Sequence, residues 1–208
     1  MTSYQRCGRF VTARIHSVAQ DPAHLSPTGR AALANLRRGV GKPPGSVPQI
    51  WQFTLNDPDR PGGPSGDREE AAVHVALTHW AMHQQSKTRP MHTDTNTFGV
   101  ALRLLASTQN RKEPQKTPVY RRMMALASSR ALMGITTHAR GLISQLRAAG
   151  IGFDYGRWAD DLYWIQVPGR MVSVQRRWGQ EFFRLHDDQI DAHFDTNSTI
   201  TTDEGALS

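Results

Sequence analysis

With 208 residues, 38% of them hydrophobic, and 17 glycines, the chain can bury a core of its own as one domain or two small ones, and its composition carries no fibrous or low-complexity bias. The formal charge of +7 is unevenly spread: residues 1 to 150 hold 20 Lys and Arg against 8 acids, whereas residues 151 to 208 hold 5 against 10. A basic body of that kind points to nucleic acid or anionic lipid, an acidic end to a solubilising tail or a protein contact, and no apolar run approaches the ~18 residues of a membrane span.

The opening stretch "MTSYQRCGRFVTARIHSV" is basic and acid-free, as a transit peptide is, but Phe10, Val11, Ile15 and Val18 fall at helical spacing and no cleavage signal follows, so it reads as a first helix. Cys7 is the lone cysteine, which rules out an intrachain disulfide and suits a reducing cytoplasm. A second helix follows in "LSPTGRAALANLRRG", with Ser26 as N-cap, Pro27 at the first helical position and Gly39 as the stop. "GVGKPPGS" and "NDPDRPGGPSG" are loops by composition, and the short segment between them is expected to dock Trp51 and Phe53 on the core. Asp67 and Glu70 have the spacing of a capping box for a third long helix ending near Gln84.

Beyond the loop "KTRPMHTDTN", the run "TFGVALRLLAS" aligns Phe98, Ala101, Leu102 and Leu105 on one face. In "YRRMMALASSRALMG", Tyr120, Met123, Met124, Ala127 and Ala131 share one side of a helical wheel, and Arg121, Arg122, Ser128 and Ser129 the other, with Arg130 at the border. The next helix has an inner stripe of Ile135, Ala139, Leu142, Ile143 and Leu146, an outer stripe of Thr136, Arg140, Ser144 and Arg147, and Gly150 as its C-terminal cap. Phe153 and Trp158 flank Asp154 as a hydrophobic staple flanks an N-cap, which starts a helix near Tyr155 that runs to about Ile165 before "VPG" breaks it. A last helix carries Val174, Trp178, Phe182 and Leu185. No run alternates like a strand, so the expected fold is all-α: a compact bundle of seven to nine helices with basic faces, spanning residues 1–190 without an internal boundary, then an acidic, disordered tail over 191–208.

From Pro114 to Phe153 there is no Asp or Glu, yet Lys116, Arg121, Arg122, Arg130, Arg140 and Arg147 are all present. A solvated helix usually mixes both signs at i,i+4 spacing, so two readings stay open here, an ordinary charged face and a fixed positive field for a polyanion. Arg140 and Arg147 are seven residues apart, which puts them within about 20° of each other and ~10.5 Å apart along the axis, a geometry suited to spaced phosphates. Arg37, Arg38 and Lys42 surround Gly39 and Gly41, where a loop could hold a phosphate or the cations could simply answer the helix dipole; Pro43 and Pro44 after Lys42 break the nucleotide-hydrolase pattern. His74, His79 and His83 lie at successive helical turns, the spacing of metal ligands, but without the Glu of HExxH or a further ligand. Asp160 with Asp161, and Asp187 with Asp188, contain the carboxylates a magnesium nuclease needs, though adjacent helical residues diverge by about 100°. A helix-turn-helix regulator is the other alternative: "SSRALMGITTHARGLISQL" places a turn at Gly134, but Thr136, Thr137 and His138 offer little to read base edges.

In order and spacing, "RAALANLRRGVGK", "TFGVALRLL", the long stretch from "YRRMMALASSR" to "GIGFDYGRWADDLYWI", and "RRWGQEFFRL" resemble the CasB family, the small subunit of type I-E CRISPR Cascade complexes, over roughly residues 28 to 185. The resemblance implies a small all-α protein with no catalytic activity, cofactor or metal, present in two copies beside the large and backbone subunits, the guide crRNA and the target DNA. It implies sequence-independent contacts to the target and displaced strands that stabilise the R-loop. Carried over by motif, the contacting residues are Arg37, Arg38, Arg121, Arg122, Arg130 and Arg140, while Lys42, Arg111, Lys112 and Arg147 are added on charge and spacing.

Overall fold

Helix starts in this chain follow from local chemistry, as the computed structural model, described for residues 6–55 and 66–184, makes plain. Helix α1 is Arg6–Val18 and α2 is Pro27–Arg38, the latter opened by Ser26, whose hydroxyl accepts the Gly29 N–H, and closed at Gly39 as expected. A 3-10 turn, Pro48–Ile50, leads into the four-residue α3, Trp51–Thr54. Then come α4 (Asp67–His83), α5 (Phe98–Gln109), α6 (Pro118–Ala127), α7 (Leu132–Ala149), α8 (Tyr155–Ile165) and α9 (Met171–Arg184). The described residues hold no strand, only an isolated bridge between His92 and Phe153, and the all-α expectation is met.

Helix α4 is the axis of the bundle. It is buried almost all round, through Ala72, Val73, Ala76, Leu77, Trp80 and Ala81, because α1, α2, α7 and α8 pack against it. A second layer forms where α5 meets α6, α7 and α9. The layers join through an aromatic cluster in which Phe98 lies 4.5 Å from Trp158 and 5.8 Å from Trp178, ring centre to ring centre. Asp161 sits beneath that cluster, accepting from Trp178 Nε1 at 2.6 Å and from Arg177, so a buried carboxylate ties α8 to α9. The expected staple at α8 is present: Asp154 accepts the Arg157 N–H at 2.9 Å while the Phe153 and Trp158 rings approach to 6.4 Å.

Three local expectations need correction. Asp67 is not an N-cap, because Gly66 takes that position in extended backbone with no side-chain bond, leaving Asp67 and Glu70 in the first turn, where the helix dipole favours their charge. Trp51 itself stays out of the core: its indole N–H donates to the Gly45 carbonyl at 2.7 Å and the residue is 46% exposed, while the segment docks as expected through Phe53 and, in place of Trp51, Ile50. The wheel through residues 120 to 131 is interrupted, since α6 ends at Ala127 and α7 begins at Leu132; Ala131 becomes an exposed N-cap, and the inner face of α6 is Val119, Met123 and Leu126. Leu185, the 191–208 tail and the domain end at residue 190 lie outside the described residues.

Candidate nucleic-acid interface

Helix α7 builds the strongest cationic feature. Ile135, Ala139, Leu142, Ile143 and Leu146 are all buried, as the pattern required, so Arg140, Ser144 and Arg147 must face outward. Gly150 ends the helix in the left-handed region at φ 67°, a conformation only glycine adopts cheaply. Alongside, α4 runs in the same direction, with the Arg140 charge close enough to act on His79 and Arg147 donating to the Gln85 amide oxygen at 2.9 Å.

Between α7, α4 and the loop after α2 opens a cavity of about 280 Å³ lined by Lys42, Thr136, Thr137 and Arg140 together with apolar Val75 and Met133. Gly41 makes the approach possible. Its φ of +74° turns the chain, and a Cβ there would stand 3.7 Å from Arg140 Nη1. Lys42 and Arg140, 98 positions apart in sequence, thus flank one opening, with two threonines beside them. Arg37 and Arg38 end α2 just before this loop, so their charge also meets the negative end of the α2 dipole. Among the described residues no carboxylate pairs with Arg37, Arg38, Lys42, Arg140 or Arg147.

The other expected cations are placed apart. Arg121 and Arg122 are exposed on α6, and Arg130 is exposed in the four-residue turn before α7. Arg111 and Lys112 are exposed on the connection between α5 and α6, and Lys116, in the same connection, pairs with Glu113. Thr137 and Met133 were not among the expected site residues; the only sequence signal for their pocket is the glycine pair in "GVGKPPG".

The three histidines diverge. His74 Nε2 lies 3.1 Å from the Gly39 carbonyl, His79 stacks at 6.4 Å on Trp158, and His83 Nδ1 lies 3.0 Å from the Tyr155 hydroxyl. Burial pushes His79 and His83 down to about 3, and the nearby Arg140 and Lys87 charges push the same way, so both rings are neutral packing groups. Among the described residues no set of three His, Cys, Asp or Glu is arranged for a metal. Asp160 and Asp161 also part company. Asp160 accepts the Gly8 N–H at 2.8 Å, Asp161 turns to Trp178 and Arg177, and burial raises them to about 7 and about 6. Asp187 and Asp188 fall outside the described residues. Gly134, the turn expected of a helix-turn-helix, lies within the first turn of α7.

Among the described residues no helix is long and apolar enough to cross a membrane. No curated protein matches the chain. Among solved structures the fold is similar to CasB from Thermobifida fusca, with a TM-score of 0.71 and 30% identity over 85% of this chain and 97% of that one. Two structures from Thermus thermophilus, one of CasB and one of a Cse2-family CRISPR-associated protein, are 23% and 22% identical; each has a TM-score of 0.62, covers 86% of this chain and 98% of its own, and shares the fold. The family described as CRISPR-associated protein Cse2 matches residues 32–183, a span that runs from within α2 to the last turn of α9 and includes both walls of the Lys42–Arg140 opening, and the chain belongs to that family.

Proposed function

We propose that this chain, as a subunit of a CRISPR Cascade complex, holds the target and displaced DNA strands by their backbones beside the guide crRNA and so stabilises the R-loop without chemistry of its own. The observation that carries this reading is the juxtaposition of Lys42 and Arg140 at one opening, with Arg147 two helical turns further along the same face and no carboxylate partner among the described residues. Unpaired cations at fixed spacing attract phosphates whatever the base sequence. R-loop formation exchanges one duplex for another of similar stability, so a few such contacts tip the balance. Exposed aromatic faces for base stacking are scarce, since Phe98, Phe153, Tyr155, Trp158 and Trp178 are all buried, and electrostatics therefore dominates.

The partners that go with this role are the other Cascade subunits, the crRNA and a second copy of the chain, all in the cytoplasm. Arg37, Arg38, Arg121, Arg122 and Arg130 extend the contact surface beyond the opening, and Arg111 and Lys112 add to it from the connection between α5 and α6. The experiment is strand-specific crosslinking from position 42 or 140 in a complex assembled with crRNA and target DNA. Crosslinks to either DNA strand, irrespective of sequence, are expected; crosslinks confined to protein refute the reading.

A further inference from the structure

Behind Lys42 and Arg140 the cavity has a lining that phosphate contacts alone do not need, and exposure orders it by depth. Lys42, Thr137 and Arg140 are exposed, Ala71 and Val75 are half-buried, and His79 is 3% exposed. His79 Nδ1 has no hydrogen-bond partner among the described residues. Burial and the Arg140 charge keep this ring neutral, so it can donate at one nitrogen and accept at the other. Thr136 and Thr137 donate to the Met133 carbonyl at 3.0 and 2.8 Å, which leaves their oxygen lone pairs to accept. Met133, in the same lining, is 70% exposed, and its flexible thioether can lie against a flat ring.

These features select a ligand. At about 280 Å³ the cavity is just below the ~300–1,000 Å³ of sites for drug-sized molecules, which is room for one ring system and not for a length of strand. An apolar tail would leave the His79 nitrogen unpaired, whereas a nucleobase has apolar faces, a polar edge and a phosphate beside it for the cations. We propose that the cavity takes one nucleobase, swung out of the strand whose phosphates meet Lys42 and Arg140, with Met133 against its face and His79 and the two threonines at its edge. This inference rests on the strand-binding reading above and adds a base contact to it. A base in a duplex must first unpair and unstack, while an unpaired strand offers its bases at little cost. The cavity therefore makes the surface prefer single strands to duplex, a choice that backbone charge does not make.

The test compares a single-stranded oligonucleotide with an abasic sugar-phosphate strand of the same length, each titrated with the full-length chain across a salt series. One seated base should make the oligonucleotide bind roughly tenfold more tightly at the same salt slope. Ala71→Phe fills the cavity, leaves every cation in place and should erase that preference, with circular dichroism as the folding control. Met133→Ala, at an exposed position that does not endanger the fold, should reduce it about threefold and decides the matter if the larger side chain is not tolerated. Equal binding of the two strands by the unaltered chain overturns the proposal and leaves the strand-binding reading standing. A preference that survives in both variants seats the base elsewhere and overturns the proposal as well. If neither strand binds, the strand-binding reading falls and the swung-out base with it; saturable binding of deoxyadenosine monophosphate in that case assigns the cavity to a free nucleotide and overturns the strand as its source.

Discussion

Replacing Arg140 and Arg147 by alanine isolates the electrostatics of one helix face. The two residues are seven apart on α7, ~10.5 Å along its axis, so under the proposed strand binding they would meet separate phosphates and their contributions would add. On single strands each phosphate contact adds about 0.7 to the magnitude of the log-log salt slope, equivalent to about fivefold in affinity between 1 M and 0.1 M salt. A surface making five contacts has a slope near −3.5; the double variant should show about −2.1 and bind about 25-fold more weakly at 0.1 M. Stability should barely change. Arg140 is exposed and has no ion pair to lose among the described residues, and the bond from Arg147 to Gln85 is worth about 1 kcal/mol at most. Fluorescence anisotropy across a salt series, with circular dichroism as the folding control, supplies the numbers. An unchanged slope in a folded double variant would refute the assignment of phosphates to α7.

Further expectations concern the frame beneath that face. A Cβ on Gly99 would stand 2.5 Å from the Trp178 carbonyl oxygen and 2.7 Å from Glu181 Cβ, so Gly99→Ala must prise α5 from α9, costing about 2 to 3 kcal/mol and roughly 4 to 12 °C in Tm. Gly179→Ala meets nothing within 4 Å and should instead stabilise α9 by about 0.5 to 1 kcal/mol; calorimetry that ranks the two alike would contradict the packing. Asp160 is raised from 3.8 to about 7, chiefly by burial, so its native form holds a proton that the unfolded chain has lost and its effect on stability worsens as pH rises from about 4 to about 7. Asp160→Asn keeps an oxygen for the Gly8 N–H and removes that penalty: the gain should be nil near pH 4 and grow as pH rises to about 7, and a gain independent of pH would contradict it. His79 and His83 have the opposite sign. Held near 3 in the fold against 6.5 when free, they contribute stability above about pH 6.5 that is lost as pH falls, so denaturant midpoints of Asp160→Asn should drop steadily from pH 7 to 5, and constant midpoints would count against neutral buried rings.

Elements fixed by short-range chemistry were legible in the sequence. Ser26, Gly39, Gly150 and the Phe153, Asp154 and Trp158 staple each act within a few residues, and each sits where its spacing placed it. The inner stripe of α7 was equally clear because one face of a long helix repeats a single signal. Short or broken elements misled. Four residues in α3 give no periodicity to distinguish Trp51 from Ile50, and the wheel drawn through residues 120 to 131 carried α6 four residues past its end at Ala127. Its break turns on Ser128 and Ser129, whose backbone N–H groups close back onto Met124 and Leu126 while the Ser129 hydroxyl bonds Ala125, a local alternative to continuing the helix that apolar periodicity does not record. The site was half legible. The charges of Lys42 and Arg140 were visible, but their meeting depends on a left-handed Gly41 and on the packing of α2 and α7 against α4, which no local pattern encodes.

The missing acids between Pro114 and Phe153 make energetic sense once burial is known. An exposed Arg gains about 0 to 1 kcal/mol from a surface carboxylate, so leaving Arg121, Arg122, Arg130 and Arg140 unpaired sacrifices little stability. The α7 and α4 interior holds together through apolar contacts and neutral imidazoles, which add no buried positive charge beneath the cations. A carboxylate at the same surface would stabilise the free protein by that small amount but would cancel one phosphate contact, about fivefold in affinity at 0.1 M salt, or about 1 kcal/mol. If the proposed strand binding holds, that trade favours an acid-free face over a paired one. On the α8 and α9 side charge is instead used internally, where Asp161 ties Arg177 to Trp178.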